Sequence, residues 1–474
     1  MGLAQYVDIS GEQQVYTGDL EQLKTHESPD WFNKAKLGIF IHWGLYSVPA
    51  YAPTELSIEE LMTALVNENA DEVELQKAAR NWFINNGYAE WYLNSLRIKN
   101  SPTYKYHKDT YGLDYDYYQF SEDFSKETLK WDPDAMVDLF KKAGARYVVL
   151  TTKHHDGYTL WPSRVQNNNM PKDVKPVQRD IVGDLTKAVR KNGMRMGLYY
   201  SGGLDWTFNR TPIYDFSGVT TTVPDSYEYG GIADAHLREL IEKYQPAVLW
   251  NDITYPDQGN AKGIVADYYN LVPDGVVNDR WGTKWGLSDF DTPEYRKLDS
   301  MQHYKWETCR GLGHSFGYNK FEDDRHTLSS TELIHLLIDV VSKNGNLLIN
   351  VGPKPDGTVP EIQKKRLEDL GAWLAINGDA IFDTEPWERS EAKTLSGKSL
   401  RYTQKEGKLY AIFMDLPDKK EIIPNLLLNK AAKVRQTSSA TELKWKQIGN
   451  SLEIRFPKDH KGKHAIAIEI TPSP

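Results

Sequence analysis

Apolar residues recur along the chain in two alternating rhythms. In the first, Met136, Leu139 and Phe140 mark one face of a helix that opens on Asp132-Pro133, an N-cap followed by proline at the first helical position. Gly144 stands where a helix terminator belongs. In the second, Tyr147-Val148-Val149-Leu150 is an unbroken apolar run, as in a strand buried on both faces. The couplet returns as a helix over 180–190 with a strand over 194–200, and as a helix over 233–244 with a strand over 247–250. It returns again where the capping box Ser329-x-x-Glu332 opens a helix that leads to a strand over 346–351. Helices alternating with continuous apolar strands predict a parallel sheet covered by helices.

An open doubly wound sheet and a closed barrel share that alternation. The strand ends discriminate: "TTKHHD", "YYSGGLDW", "LWNDITY" and "LINVGPKPDG" all turn polar. A barrel directs every C-terminal strand end to one site, whereas an open sheet uses only its switch point. A barrel is therefore expected. After Glu385-Pro386 the rhythm changes to short strands over 400–402, 409–414, 421–428, 443–445 and 452–456, with a turn at Gly449-Asn450 and a last strand in "KHAIAIEI". This predicts a small antiparallel β-sandwich. The expected organisation is a catalytic barrel over 1–385 and a sandwich over 386–474. The charge-rich helical stretch 51–108 is expected as an elaborated loop over the barrel mouth.

Composition narrows the function. The net charge of −9 over 474 residues gives no basic surface for nucleic acid or an anionic membrane. No apolar run reaches the ~18 residues of a membrane-spanning helix. The first residues, "MGLAQYVDISGEQQ", lack the basic and apolar regions of a signal peptide. The single cysteine, Cys309, forms no intrachain disulfide and reads as a small buried apolar residue. Fourteen Trp and 28 Tyr fit a large aromatic core, which composition alone favours slightly, or sugar binding, where flat C–H faces pack on rings whose polar atoms still hydrogen-bond.

The candidate chemistry lies at the strand ends. His154 and His155 are adjacent, so on a strand they would face opposite ways, and neither H-x-H nor H-E-x-x-H occurs. Hydrogen bonding suits them better than metal ligation. Asp252 follows a buried strand ending in Trp250, a place that suits a nucleophile at an anomeric carbon and equally the N-cap of a following helix, though Tyr255-Pro256 is a poor helix start. A retaining glycosidase needs a second carboxyl group about 5–5.5 Å away. Glu294 in "DTPEY" and Glu307 in "KWETC" are the candidates.

At this point a family resemblance becomes specific. "WFNKAKLGIFIHWGLYSVPAY" (31–51), "AEWY" (89–92), "KHHDGYTLW" (153–161), "GLYYSGGLDW" (197–206), "LWND" (249–252), "VNDRWG" (277–282), "KWETC" (305–309) and "NGNLLINVGPKPDG" (344–357) together resemble glycoside hydrolase family 29, the α-L-fucosidases. The resemblance implies a (β/α)8-like barrel followed by a β-sandwich, a retaining double displacement, a fucosylated glycan as substrate, and neither cofactor nor metal. Asp252 matches the nucleophile. His42, Glu90, Trp91, His154 and His155 match residues that hold fucose hydroxyls. Tyr200 (or its neighbour Tyr199), Trp250 and Arg280 match further sugar contacts. The acid/base varies in position among members; Glu294 is preferred to Glu307 for its T-P-E context. Asn251 stands where many members have Phe, which would alter the pocket wall. Two other classes compete: a carbohydrate-binding protein without catalysis, and a metal-dependent hydrolase using His154 and His155.

Overall fold

The computed structural model describes residues 14–64, 71–438, 442–457 and 462–474. The signal-peptide reading rests almost wholly on residues 1–13, which lie outside these, as does 65–70 within the mouth segment.

Seven parallel strands form the first sheet: β1 (Leu37–Ile41), β2 (Tyr147–Lys153), β3 (Arg195–Ser201), β4 (Val248–Asp252), β5 (Val276–Val277), β6 (Trp306–Gly311) and β7 (Gly345–Val351). Their spatial order is β5-β4-β3-β2-β1-β7-β6. The sheet therefore curls round β1 until β5 and β6 face each other. The segment 290–294 fills that gap through parallel bridges Asn278–Phe290, Asp291–Trp306 and Glu294–Cys309. It acts as an eighth stave, too irregular to form a ladder. This is the TIM-like barrel expected from the strand ends.

The inner faces carry Phe40, Tyr147, Val149, Tyr199, Val248, Trp250 and Leu348, a packed interior rather than a pore. The outer faces pack on helices such as Pro133–Lys142, capped by Asp132 on the Ala135 N–H at 3.1 Å and ended by Gly144 at φ 92°. One helix starts earlier than its apolar stripe suggests: it spans Tyr227–Tyr244, capped by Ser226. Gly230-Gly231 hides its first turns in the sequence. A side chain at Gly230 would meet the Gln258 backbone at 2.6 Å, so close packing explains that helix-weakening residue.

The C-terminal part pairs a five-stranded with a three-stranded antiparallel sheet over one core that includes Leu400, Leu409, Leu452, Ile454 and Ile468. Its first strand, Glu385–Lys393, and the strand Lys433–Gln436 have no counterpart in the expected set. The strand expected over 421–428 is only Lys420–Ile423, because Pro424 follows and Asn425 is left-handed at φ 54°. Asp339 on a barrel helix pairs with Arg401 at 2.6 Å, tying the two parts together. Among the described residues no helix is long and apolar enough to cross a membrane.

Candidate active site

A pocket of about 180 Å³ opens at the C-terminal ends of the strands. Its inner wall holds His42, Glu90, Trp91, His154, His155, Tyr199, Trp250, Asp252, Arg280 and Glu294.

Asp252 ends β4, and the backbone turns at once: Ile253 takes φ 68°, a strained value for a β-branched residue. The turn is held by Gly203 and Thr254 N–H groups on the Asp252 carbonyl at 3.1 and 2.9 Å. The Asp252 carboxylate is saturated with donors. Oδ1 accepts from Arg280 Nη1 at 3.0 Å and from the Ile253 N–H at 2.9 Å; Oδ2 accepts from the Tyr199 hydroxyl at 2.7 Å. Burial alone would raise its pKa; Arg280 and the Tyr199 hydroxyl outweigh burial and hold it below the usual aspartate value.

Arg280 is the hub. Its Nη1 also donates to Glu294 Oε2 at 2.9 Å, while Nε and Nη2 are fixed on the Thr292 side chain and carbonyl at 3.0 and 3.1 Å. One nitrogen thus bridges two carboxylates. Their facing oxygens are no more than about 6 Å apart, close to the separation of a retaining pair. The Tyr88 hydroxyl donates to the other Glu294 oxygen at 2.9 Å. Arg280 lies over the Trp250 ring, 4.7 Å from its centroid.

The histidines have assigned tautomers. Asn350 donates to the Phe316 carbonyl at 2.6 Å, so its Oδ1 accepts from His42 Nδ1 at 2.7 Å. Ser201 donates to the Leu204 carbonyl at 2.8 Å, so it accepts from His155 Nδ1 at 2.7 Å. Each ring keeps a lone pair on Nε2, and that of His155 lies 4.0 Å from Asp252 Oδ2. Burial lowers His42 to about 4 and His155 to about 3, so both are neutral acceptors. His154 is buried with Nδ1 unpartnered among the described residues. Glu90 accepts from the Gly317 N–H at 2.7 Å and from Ser315 at 3.3 Å, and burial raises it to about 7. Such a wall matches a ligand rich in hydroxyl groups.

The other two ionisable residues of "KHHD" brace the fold. Lys153 pairs with buried Asp205 at 3.0 Å, and Asp156 accepts from Tyr117 at 2.7 Å.

Residues 3–379 match the family model described as α-L-fucosidase, and 393–471 match the α-L-fucosidase C-terminal domain. The chain belongs to the α-L-fucosidases. Among the family's members, tissue α-L-fucosidase of Macaca fascicularis is 33% identical over 442 residues, covering 91% of this chain and 85% of that protein. The Thermotoga maritima α-fucosidase in complex with fucose is 45% identical with a TM-score of 0.84, covering 96% and 99%. A Thermotoga maritima α-L-fucosynthase in complex with α-L-Fuc-(1-2)-β-L-Fuc-N3 is 46% identical with a TM-score of 0.86 and the same coverage.

Three sequence expectations need correction within this α-L-fucosidase pocket. Tyr200 faces away from it: its hydroxyl meets His236 at 3.1 Å and its ring lies under Lys153 at 4.7 Å. Alternation along β3 sends Tyr199 inward instead. Asn251 likewise turns from the pocket and ties the Thr254 and Arg280 carbonyls at 3.0 and 2.9 Å. Glu307 lies inside the barrel below the pocket, accepting from Tyr147 and from Trp250 Nε1, the latter at 3.2 Å. Burial raises it to about 7, yet Trp250 stands between it and the cavity side. Cys309, buried, adds its sulfur to the wall 3.6 Å from Arg280. Tyr88, Asn350 and Phe316 escaped the sequence reading. Asn350 had a signal, its place in the polar strand end "LINVGPKPDG"; Tyr88 and Phe316 lie on loops with none.

Proposed function

We propose that this chain is a retaining α-L-fucosidase that removes terminal α-L-fucosyl groups from fucosylated glycans, with Asp252 as nucleophile and Glu294 as acid/base. The observation that carries the reading is the single Arg280 nitrogen shared by both carboxylates. Asp252, ionised, attacks the anomeric carbon while Glu294, protonated, gives its proton to the departing oxygen. The oxocarbenium-like transition state is stabilised by the adjacent carboxylate and by hydrogen bonds that the sugar hydroxyls donate to the histidine wall. Water, deprotonated by Glu294, then releases fucose from the fucosyl-enzyme with net retention.

The metal-dependent alternative fits the donors poorly. Among the described residues no group of three or more His, Cys, Asp or Glu side chains is placed to hold a metal ion. A purely binding protein would not need a carboxylate pair so close together.

The test is hydrolysis of 4-nitrophenyl α-L-fucopyranoside followed by NMR. Release of nitrophenol with α-fucose as the first-formed anomer is expected; β-fucose first, or no turnover at any pH, would overturn the proposal.

A second expectation separates the neighbouring tyrosines. Tyr199→Phe removes a hydrogen bond to a charged carboxylate, so kcat/KM should fall about 10–100-fold. Without that donor the Asp252 pKa rises, so the acid limb of the pH profile moves to higher pH. Tyr200→Phe should leave the limb in place. Equal shifts in both variants would contradict the inward placement of Tyr199.

A further inference from the structure

The outer part of the pocket has a different chemistry from its inner wall. Ile58, Met62, Trp82 and Phe83 come from the mouth segment, and Phe216 and Val219 from the helix Phe216–Thr221. All six line the cavity, and only the Trp82 indole N–H offers a polar side-chain atom. Ring contacts join Trp82 to the Glu294 side and run on to Phe83 and Phe216, with Phe83 also 5.7 Å from Trp91 of the inner wall. Tyr88, which holds Glu294, meets the Trp82 ring at 5.0 Å; Trp82 meets Phe83 at 5.1 Å; Phe83 meets Phe216 at 5.3 Å. The acid/base lies beside the departing oxygen, so whatever that oxygen carries points toward this collar.

We propose that the collar is a leaving-group site which selects an apolar, preferably aromatic, aglycone by contact rather than by hydrogen bonding. The proposal rests on the α-L-fucosidase reading and deepens it. Leaving groups made only of hydroxyls would lose water there and find at most the Trp82 N–H as a partner, a cost that unpaired polar groups impose on a site. Apolar groups would instead cover Met62 and Phe216, which are half-buried and partly open to solvent. The collar belongs largely to the mouth segment, so its specificity is separable from the barrel that holds the sugar.

The test compares benzyl and methyl α-L-fucosides, whose alcohols are of nearly equal acidity, so chemical reactivity of the leaving group drops out. The expected kcat/KM ratio in favour of benzyl is at least about tenfold, the size of discrimination that apolar pockets achieve. In Met62→Ser and Phe216→Ser, each a half-buried position that tolerates truncation, the ratio should fall severalfold toward unity. A ratio within twofold for the wild type, or an unchanged ratio in both variants, would overturn the proposal. Hydrolysis of either fucoside by the wild type would still uphold the α-L-fucosidase reading, so the two failures are distinguishable.

Discussion

Asp252→Gly is expected to lower kcat on an aryl α-L-fucoside by on the order of 10⁴-fold, because it removes the carboxylate that bonds to the anomeric carbon. The fold should persist. Asp252 is a buried charge whose removal relieves desolvation, and Arg280 keeps Glu294 and Thr292 as partners. Circular dichroism of the variant should match the wild type. The stereochemistry gives a sharper check. Azide entering the vacated space attacks once, with inversion, so the product is the β-fucosyl azide. Near-normal kcat in the variant would refute the nucleophile assignment.

Glu294→Ala carries the second large effect. General acid–base catalysis contributes ~10²–10⁴-fold. An activated 4-nitrophenolate needs little protonation, so its hydrolysis should fall near the lower limit, and that of an alkyl fucoside near the upper. Here azide attacks the fucosyl-enzyme, a second inversion, so the rescued product is the α-fucosyl azide. Glu307→Gln should behave differently. Its carboxyl group accepts from two buried donors, Tyr147 and Trp250. An amide sets an N–H₂ against one of them, at a cost of about 1–3 kcal/mol in stability. Activity should fall far less, with no azide rescue. An inactive, azide-rescued Glu307 variant beside an active Glu294 variant would reverse the roles.

The barrel was legible because its signals are local and repeated: capped helices, continuous apolar strands and polar strand ends at His154, Asp252 and Asn350. The choice between Tyr199 and Tyr200 was not. From Met196 to Ser201 every residue of β3 is buried, so no polar alternation marks which face points inward. The choice between Glu294 and Glu307 depends on how a loop closes the barrel, a long-range event without a periodic signature. The collar had a signal that its charge-rich surroundings obscured: Ala79, Trp82 and Phe83 recur at helical spacing as the buried residues of Glu72–Ile84. Sequence spacing indicates that such a face packs against something, not that it overhangs a pocket.

The stave over 290–294 brings a last consequence, for inheritance rather than chemistry. Asp252 ends a full ladder strand, in register with β3 from Val248 to Asp252, so an insertion or deletion there would displace its neighbours. Glu294 rides on a stretch joined to the barrel by isolated bridges and by side-chain bonds such as Arg280 on Thr292, not by a ladder. Descendants of this architecture can lengthen, shorten or re-route that stretch and offer a proton donor from a new position while the nucleophile stays where it was. Divergence in leaving-group chemistry is therefore mechanically cheap, and divergence in the sugar recognised is not.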